Sequence, residues 1–258
     1  MILTVKAVYD WVDGFAPFQT AEEYDNVGLL AGRFDAPLTR ILTALDCTLE
    51  VVEEARHLGA ELILTHHPLM FHARKNLRED DSQGQVLCAL IRSHIALISA
   101  HTNLDRAPGG INDVLGQMFS LTSTRGEGFL RCGDLPSQMT AGELRDLASR
   151  LLKAPVRLYG SQDMKIETLA VGSGAYDEGF TEAADLGAQA YLTGEVRHHN
   201  AIDAVAQGMV LLEGGHYATE APGLQAFGGC LQKGLDRLQY SVEINHFSGV
   251  SYPGALNQ

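Results

Sequence analysis

Three short segments of the chain join histidines to carboxylates at the end of an apolar run. Leu62-Ile63-Leu64-Thr65 leads into His66-His67-Pro68, Leu97-Ile98-Ser99-Ala100 into His101-Thr102-Asn103-Leu104-Asp105, and Leu211-Leu212 into Glu213-Gly214-Gly215-His216-Tyr217-Ala218-Thr219-Glu220. Imidazole and carboxylate together suit Zn, Fe, Mn, Co or Ni, whereas Ca takes oxygen donors only. Adjacent ligands cannot both face one way from a regular strand, because successive side chains alternate. The strand before His66 must therefore end there, and Pro68 biases His67 to an extended conformation that lets the two rings diverge toward neighbouring ions. Asp105 and Glu220 each bring two oxygens and can bridge or hold one ion apiece. Two ions ~3.5 to 4 Å apart form a clamp that activates a bridging water. An isolated His-His-Pro is more often a capped turn than a site, and a lone H-x-x-x-[DE] says less. It is their convergence that points to metal.

Convergence depends on the elements that carry the motifs. Arg40 to Asp46 is expected as strand, Leu49 to Leu58 as helix, Glu61 to Thr65 as strand, Gly84 to Ser93 as helix and His94 to Ala100 as strand. The rhythm returns with Glu167 to Val171 as strand, Gly179 to Leu186 as helix, Ala188 to Leu192 as strand, His199 to Gln207 as helix and Met209 to Leu212 as strand. Such alternation implies βαβ units and a largely parallel sheet. Open α/β sheets bind ligands beyond the carboxyl ends of their strands, where all three motifs fall. Three strands thus deliver four histidines and two carboxylates to one rim.

The two sets echo each other in sequence. EARHLGAELILT (54 to 65) laid on EAADLGAQAYLT (182 to 193) matches at seven of twelve positions without a gap. Aligning His101 with His216 also aligns Asp105 with Glu220, each after a β-run. These matches favour an α/β fold made of a duplicated unit: an N-terminal half over 1–125 and a C-terminal half over 126–258, with the metal site in the cleft between them. The Gly-rich stretch Arg125 to Gly133 and an exposed helix, Ala141 to Leu152, lie near that junction.

Other features narrow the function. No apolar run in the 258 residues approaches the ~20 needed to span a bilayer, and MILTVKAVYDWVDG lacks the basic start of a secretory signal, which implies a soluble protein at a cytoplasmic address. The net charge of -13 disfavours nucleic acid and anionic lipid as partners. Four dispersed cysteines without a C-x-x-C pair argue against a disulfide scaffold or thiolate site. His198 and His199, beside Gly194-Glu195, could supply an acid, a base or a ligand, or could simply occupy a solvated helix start. His57, His72, His94 and His246 read as structural. Gly172-Ser173-Gly174 could form a phosphate or substrate loop but lacks the full Gly-rich fingerprint, and a tight turn is the commoner outcome. Without G-x-S-x-G or a P-loop, serine hydrolase and kinase chemistry have no support.

The chain resembles the GTP cyclohydrolase I type 2 homologue family, also called NIF-three-like. The resemblance rests on AEEYDNVGLLAGR (21 to 33), LTHHPLMF (64 to 71), AHTNLD with PGGIND (100 to 113), GFLRCGDL (128 to 135), YLTGEVRHHNAIDA (191 to 204) and EGGHYATE (213 to 220). It implies a duplicated α/β fold, homohexamers built as trimers of dimers, and a dinuclear site with two divalent ions per chain. The ligands would fall on His66, His67, Asp105, His216 and Glu220, with His101 a close neighbour. Longer members carry an inserted domain, for which this chain has no room. The expected function is metal-dependent hydrolysis of a small molecule: a metal-bridging hydroxide attacks a C=N, amide or phosphate centre while His101 or His199 transfers the proton. The alternative is a metal-handling, metallochaperone or regulatory interaction protein without turnover.

Overall fold

The structure, a computed structural model, describes residues 2–248. From the N-terminus run α1 (Val5–Phe15), β1 (Gly28–Ala31), β2 (Arg40–Ala44), α2 (Leu49–Leu58), β3 (Leu62–Thr65), α3 (Ser82–Ser93), β4 (Ala96–Ser99) and the short α4 (Thr102–Arg106). Next come α5 (Ile111–Met118), β5 (Thr122–Arg125), β6 (Arg131–Thr140), α6 (Ala141–Leu152), β7 (Arg157–Tyr159) and β8 (Lys165–Gly172). The chain continues with α7 (Phe180–Asp185), β9 (Ala190–Thr193), α8 (His198–Ala206), β10 (Val210–Glu213), the long α9 (His216–Arg237) and β11 (Glu243–His246). The α/β class read from the sequence is the class observed.

The chain divides into two compact units. Of the described residues, one comprises 2–108 and 224–248, the other 109–223. Helix α5 and strand β5, which the sequence assigns to the N-terminal half, group with the second unit because β5 pairs with β6 and α5 packs Leu115 into that unit's core. The tail instead joins the first unit: β11 pairs in parallel with β2, Ile244 opposite Ile41.

In the first unit the sheet order is β1-β4-β3-β2-β11. Strands β2, β3 and β4 are parallel, and β1 closes one edge antiparallel to β4. Leu62–Thr65 and Ala96–Ser99 are buried along their whole length, as central parallel strands covered on both faces must be. Helix α2 starts where the Thr48 hydroxyl accepts from Val51 N and stops at Gly59, whose φ of 70° supplies the left-handed cap. Its Val51, Val52 and Ala55 pack on Leu42, Ile63 and Leu97.

The second unit has the order β5-β6-β8-β9-β10-β7, with β8, β9 and β10 parallel and β7 antiparallel to β10. The internal echo is thus visible in topology: β2-β3-β4 with antiparallel β1 corresponds to β8-β9-β10 with antiparallel β7. Helix α6 begins with a capping box between Thr140 and Glu143. It is not an exposed helix, because Leu144, Ala148 and Leu152, spaced four apart, bury one stripe against Leu169, Leu192 and Leu212. No helix among the described residues is long and apolar enough to cross a membrane.

Candidate metal centre

The first donor group lies beyond the carboxyl ends of β3 and β4. The chain leaves β3 at Thr65, and His66 and His67 follow at once, with their backbone N–H groups donating to Ala44 O and Leu45 O. His101 caps α4, which places Asp105 one turn on. The centroids of the His66 and His67 rings lie 5.1 Å apart with planes at 41°, and His101 stands 5.2 Å and 5.5 Å from them. One ligand nitrogen from each falls within 4.8 Å of the others, a group able to hold a metal ion. Asp105 Oδ1 adds an oxygen 3.4 Å from His66 Nε2.

The tautomers follow from the partners. His66 Nδ1 lies 2.9 Å from Ala100 O, a carbonyl that can only accept, so the proton is on Nδ1 and the lone pair of the neutral ring is on Nε2. His67 Nδ1 donates to Asp46 Oδ1 at 2.8 Å and His101 Nδ1 to Asp25 Oδ1 at 3.0 Å. A metal-binding histidine is typically fixed in this way, by an oxygen on its other nitrogen. Burial opposes ionisation of Asp25, yet hydrogen bonds from His101 and Thr102 outweigh it and bring the carboxyl down to about 2.

The second group, in the other unit, lies beyond β9 and β10. His216 opens α9 and Glu220 follows one turn later, so their side chains share a face. His216 Nδ1 donates to Glu195 Oε1 at 2.7 Å, while its Nε2 lies 3.2 Å from Glu220 Oε1. Burial lowers the basicity of His216, but Glu220 and then Glu195 more than reverse this and raise its pKa to about 9. Two carboxylates thus favour positive charge here, whether proton or metal.

Gly174 makes room for Glu220. A Cβ there would sit 2.3 Å from Glu220 Oε1, and the φ of 63° is left-handed. Gly172-Ser173-Gly174 is therefore a packed turn and not a phosphate loop: Ser173 N donates to Asn112 Oδ1, Gly174 N donates to Thr219 Oγ1, and Tyr191 and Tyr176 fill the space above Gly172.

Of the residues singled out in the sequence, His66, His67, His101 and Asp105 gather in one unit, and His216 and Glu220 in the other. His198 and His199 are exposed in the first turn of α8, and neither belongs to a group of potential ligands among the described residues. His57 is exposed, His94 caps α3 in a left-handed conformation, and His246 Nδ1 pairs with Thr43 Oγ1. The orienting residues Asp25, Asp46 and Glu195 were not assigned a role from sequence. Asp46 lies just past Leu45 at the rim end of β2, a position that could have marked it. Cys47 is buried in the core, and burial, with Asp46 beside it, pushes its thiol up to about 12.

The Duf34/NIF3 (NGG1p interacting factor 3) family profile matches residues 3–252. The chain is 31% identical over 255 residues to a Clostridium acetobutylicum protein named GTP cyclohydrolase 1 type 2 homolog, covering 95% of each. A Clostridium perfringens protein of the same name is 34% identical over 251 residues, 93% of this chain and 95% of its own. Among solved structures, a Staphylococcus aureus hypothetical protein superposes with a TM-score of 0.93 at 27% identity, covering 98% of this chain and 99% of that one. Reduced HcgD from Methanocaldococcus jannaschii gives 0.84 at 28%, covering 96% and 99%. Since the profile and the relatives above 30% identity run through both units and every histidine motif, this chain belongs to the Duf34/NIF3 family, that of the GTP cyclohydrolase 1 type 2 homologues.

Proposed function

We propose that this protein is a cytoplasmic, metal-dependent hydrolase in which the two donor groups act together as one dinuclear centre. The observation that carries this reading is that four imidazoles, those of His66, His67, His101 and His216, each commit Nδ1 to an oxygen, of Ala100, Asp46, Asp25 and Glu195 respectively. In each ring Nε2 is then the nitrogen that a metal ion or a transferred proton would take. The mixed nitrogen and oxygen set fits Zn, Fe, Mn, Co or Ni.

His66, His67, Asp105, His216 and Glu220 would hold two divalent ions. When bound, such ions supply a water of lowered pKa and polarise a C=N, amide or phosphate centre. His101 is assigned the proton: Asp25 fixes its tautomer, so Nε2 is the nitrogen that takes a proton up and returns it. His199, on the exposed start of α8, is the weaker candidate for that role. The resemblance to the family further supports a homohexamer built as a trimer of dimers.

Elemental analysis of the native protein, followed by a substrate screen with and without the metal found, tests the proposal. Two ions per chain and metal-dependent turnover are expected. A maximum of one ion overturns the dinuclear centre. Two ions without turnover, released readily to an acceptor protein, would instead support metal handling.

A further inference from the structure

Next to the histidine group lies a pair of aromatic rings that the proposed chemistry does not use. Tyr24 is 63% exposed and Phe71 38% exposed, in a chain whose other large rings include the fully buried Tyr191 and Phe227. Their centroids are 5.9 Å apart with planes at 58°, and Phe71 stands 6.2 Å from the His101 ring, nearly edge-on at 79°. His72 also packs on Phe71, centroids 5.1 Å apart.

The loops that carry these rings are tied to each other and to His101. Asn26 Nδ2 donates to Met70 O at 2.6 Å, which joins the Tyr24 loop to the Phe71 loop. Between Tyr24 and Asn26, Asp25 accepts from His101 Nδ1 and from the Thr102 N–H and hydroxyl. One three-residue stretch, Tyr24-Asp25-Asn26, therefore presents a ring, orients the histidine and anchors the second ring. The corner is thereby pre-organised, and binding there orders no loop.

We infer that Tyr24 and Phe71 form a stacking subsite beside His101 for a planar heterocycle in the substrate. The inference rests on the hydrolase reading, which places the reacting atoms at that histidine group. Two rings at 58° make a corner and not a sandwich, so a flat ligand lying on one face meets the other ring edge-on, a favoured aromatic geometry. Charge does not narrow the class further: Glu22 pairs with Arg106 beside Tyr24, Asp25 is bonded to His101, and beyond Phe71 Arg74 pairs with Asp81 while Lys75 is exposed.

The test uses the full-length, metal-loaded protein and calorimetric titration with adenosine, 1-methyladenosine, pterin and nicotinamide, with ribose as the ringless control. At least one heterocycle should bind while ribose does not. Phe71→Leu and Tyr24→Leu should each raise its Kd about tenfold or more, the usual scale of a lost stacking contact, whereas Tyr24→Phe should stay within a few-fold of native. Metal content is measured on the same samples. Failure of every heterocycle to bind native protein, or unchanged affinity in both Leu variants, overturns the subsite. Either result obtained with two ions and turnover retained leaves the hydrolase reading standing, while a native protein without metal sinks that reading.

Discussion

Each proposed imidazole donor is held by an oxygen that is remote in sequence, and this division of labour makes the roles separable by single substitutions. His101→Gln keeps a polar side chain of similar reach and leaves His66, His67 and Asp105 in place. It should therefore retain two ions by elemental analysis while kcat falls about 100-fold or more, the usual yield of a positioned acid or base. Loss of an ion instead would make His101 a ligand. Gly174→Ala tests the other group. Its Cβ would stand 2.3 Å from Glu220 Oε1 on a left-handed backbone, so either the carboxylate or the turn must move. Metal affinity should drop about 10- to 100-fold in competition with a chelating dye, as when a ligand loses its support; an unchanged affinity would remove Glu220 from the ligand set. The donors themselves were legible in sequence because each follows an apolar run at a fixed offset. Asp25 was not, since 76 residues separate it from His101 and only the folded chain joins them.

At the scale of elements, the duplication explains why the two groups differ. The match of 54–65 with 182–193 superposes β3 on β9, so Gly194-Glu195 stands where the first unit has His66-His67. A side chain at 194 would collide with Gly174 O at 2.5 Å and His216 Cα at 2.9 Å. The second unit therefore has no room for a counterpart of His66 and uses Glu195 to orient His216. Beyond the same strand, Asp177 organises the start of α8: it accepts from Arg197 N at 2.7 Å, from the Arg197 guanidinium and from Asn200 Nδ2 at 2.8 Å. Burial opposes its ionisation, but these bonds prevail and hold its carboxyl below the ordinary range. A depressed folded-state pKa adds stability above the unfolded value, near 3.8, and that stability disappears as pH falls through the folded value. Asp177→Asn should therefore lower the urea midpoint clearly at pH 7 and much less at pH 3; an equal deficit at both would show that the carboxylate charge is not what stabilises this turn. Helices α2 and α6 were legible to the residue because Thr48, Gly59, Thr140 and Glu143 mark their ends. The exposure assigned to α6 was wrong because an apolar stripe is interrupted in sequence by Arg145, Asp146 and Arg150, which point away from the core.

Over the whole molecule, the chain path was the least legible feature. Strand β11 pairs with β2 across about 200 residues, with Arg40 on β2 bonded to Glu243 on β11, and no local pattern announces a tail that returns to an early strand. The proposed hexamer is likewise a statement about the assembled protein. Light scattering on metal-loaded material should give six times the chain mass, and a stable monomer or dimer at micromolar concentration would refute it.

The reading that joins the two donor groups into one centre makes a quantitative demand. Ions that bind only the native state stabilise it by RT ln(1 + [L]/Kd), ~4 kcal/mol at a thousandfold excess over Kd. If the groups were two separate mononuclear sites, Asp105→Ala would abolish one ion, Glu220→Ala the other, and the double variant would lose the sum of the two linked stabilities, because independent sites add. In a shared centre, ions a few ångströms apart depend on common ligands, so each single variant should lower the affinity for both ions and forfeit most of the metal-linked rise in Tm, leaving the double variant little more to lose. Because Glu220 is buried and paired with His216, each variant's own metal-free melt serves as its reference, and only the metal-linked rise in Tm is compared. Thermal melts across a metal titration, with stoichiometry read by elemental analysis for the four proteins of the cycle, distinguish the cases: strong non-additivity is expected, and additive losses of one ion each would overturn the shared centre while leaving both donor groups as metal sites.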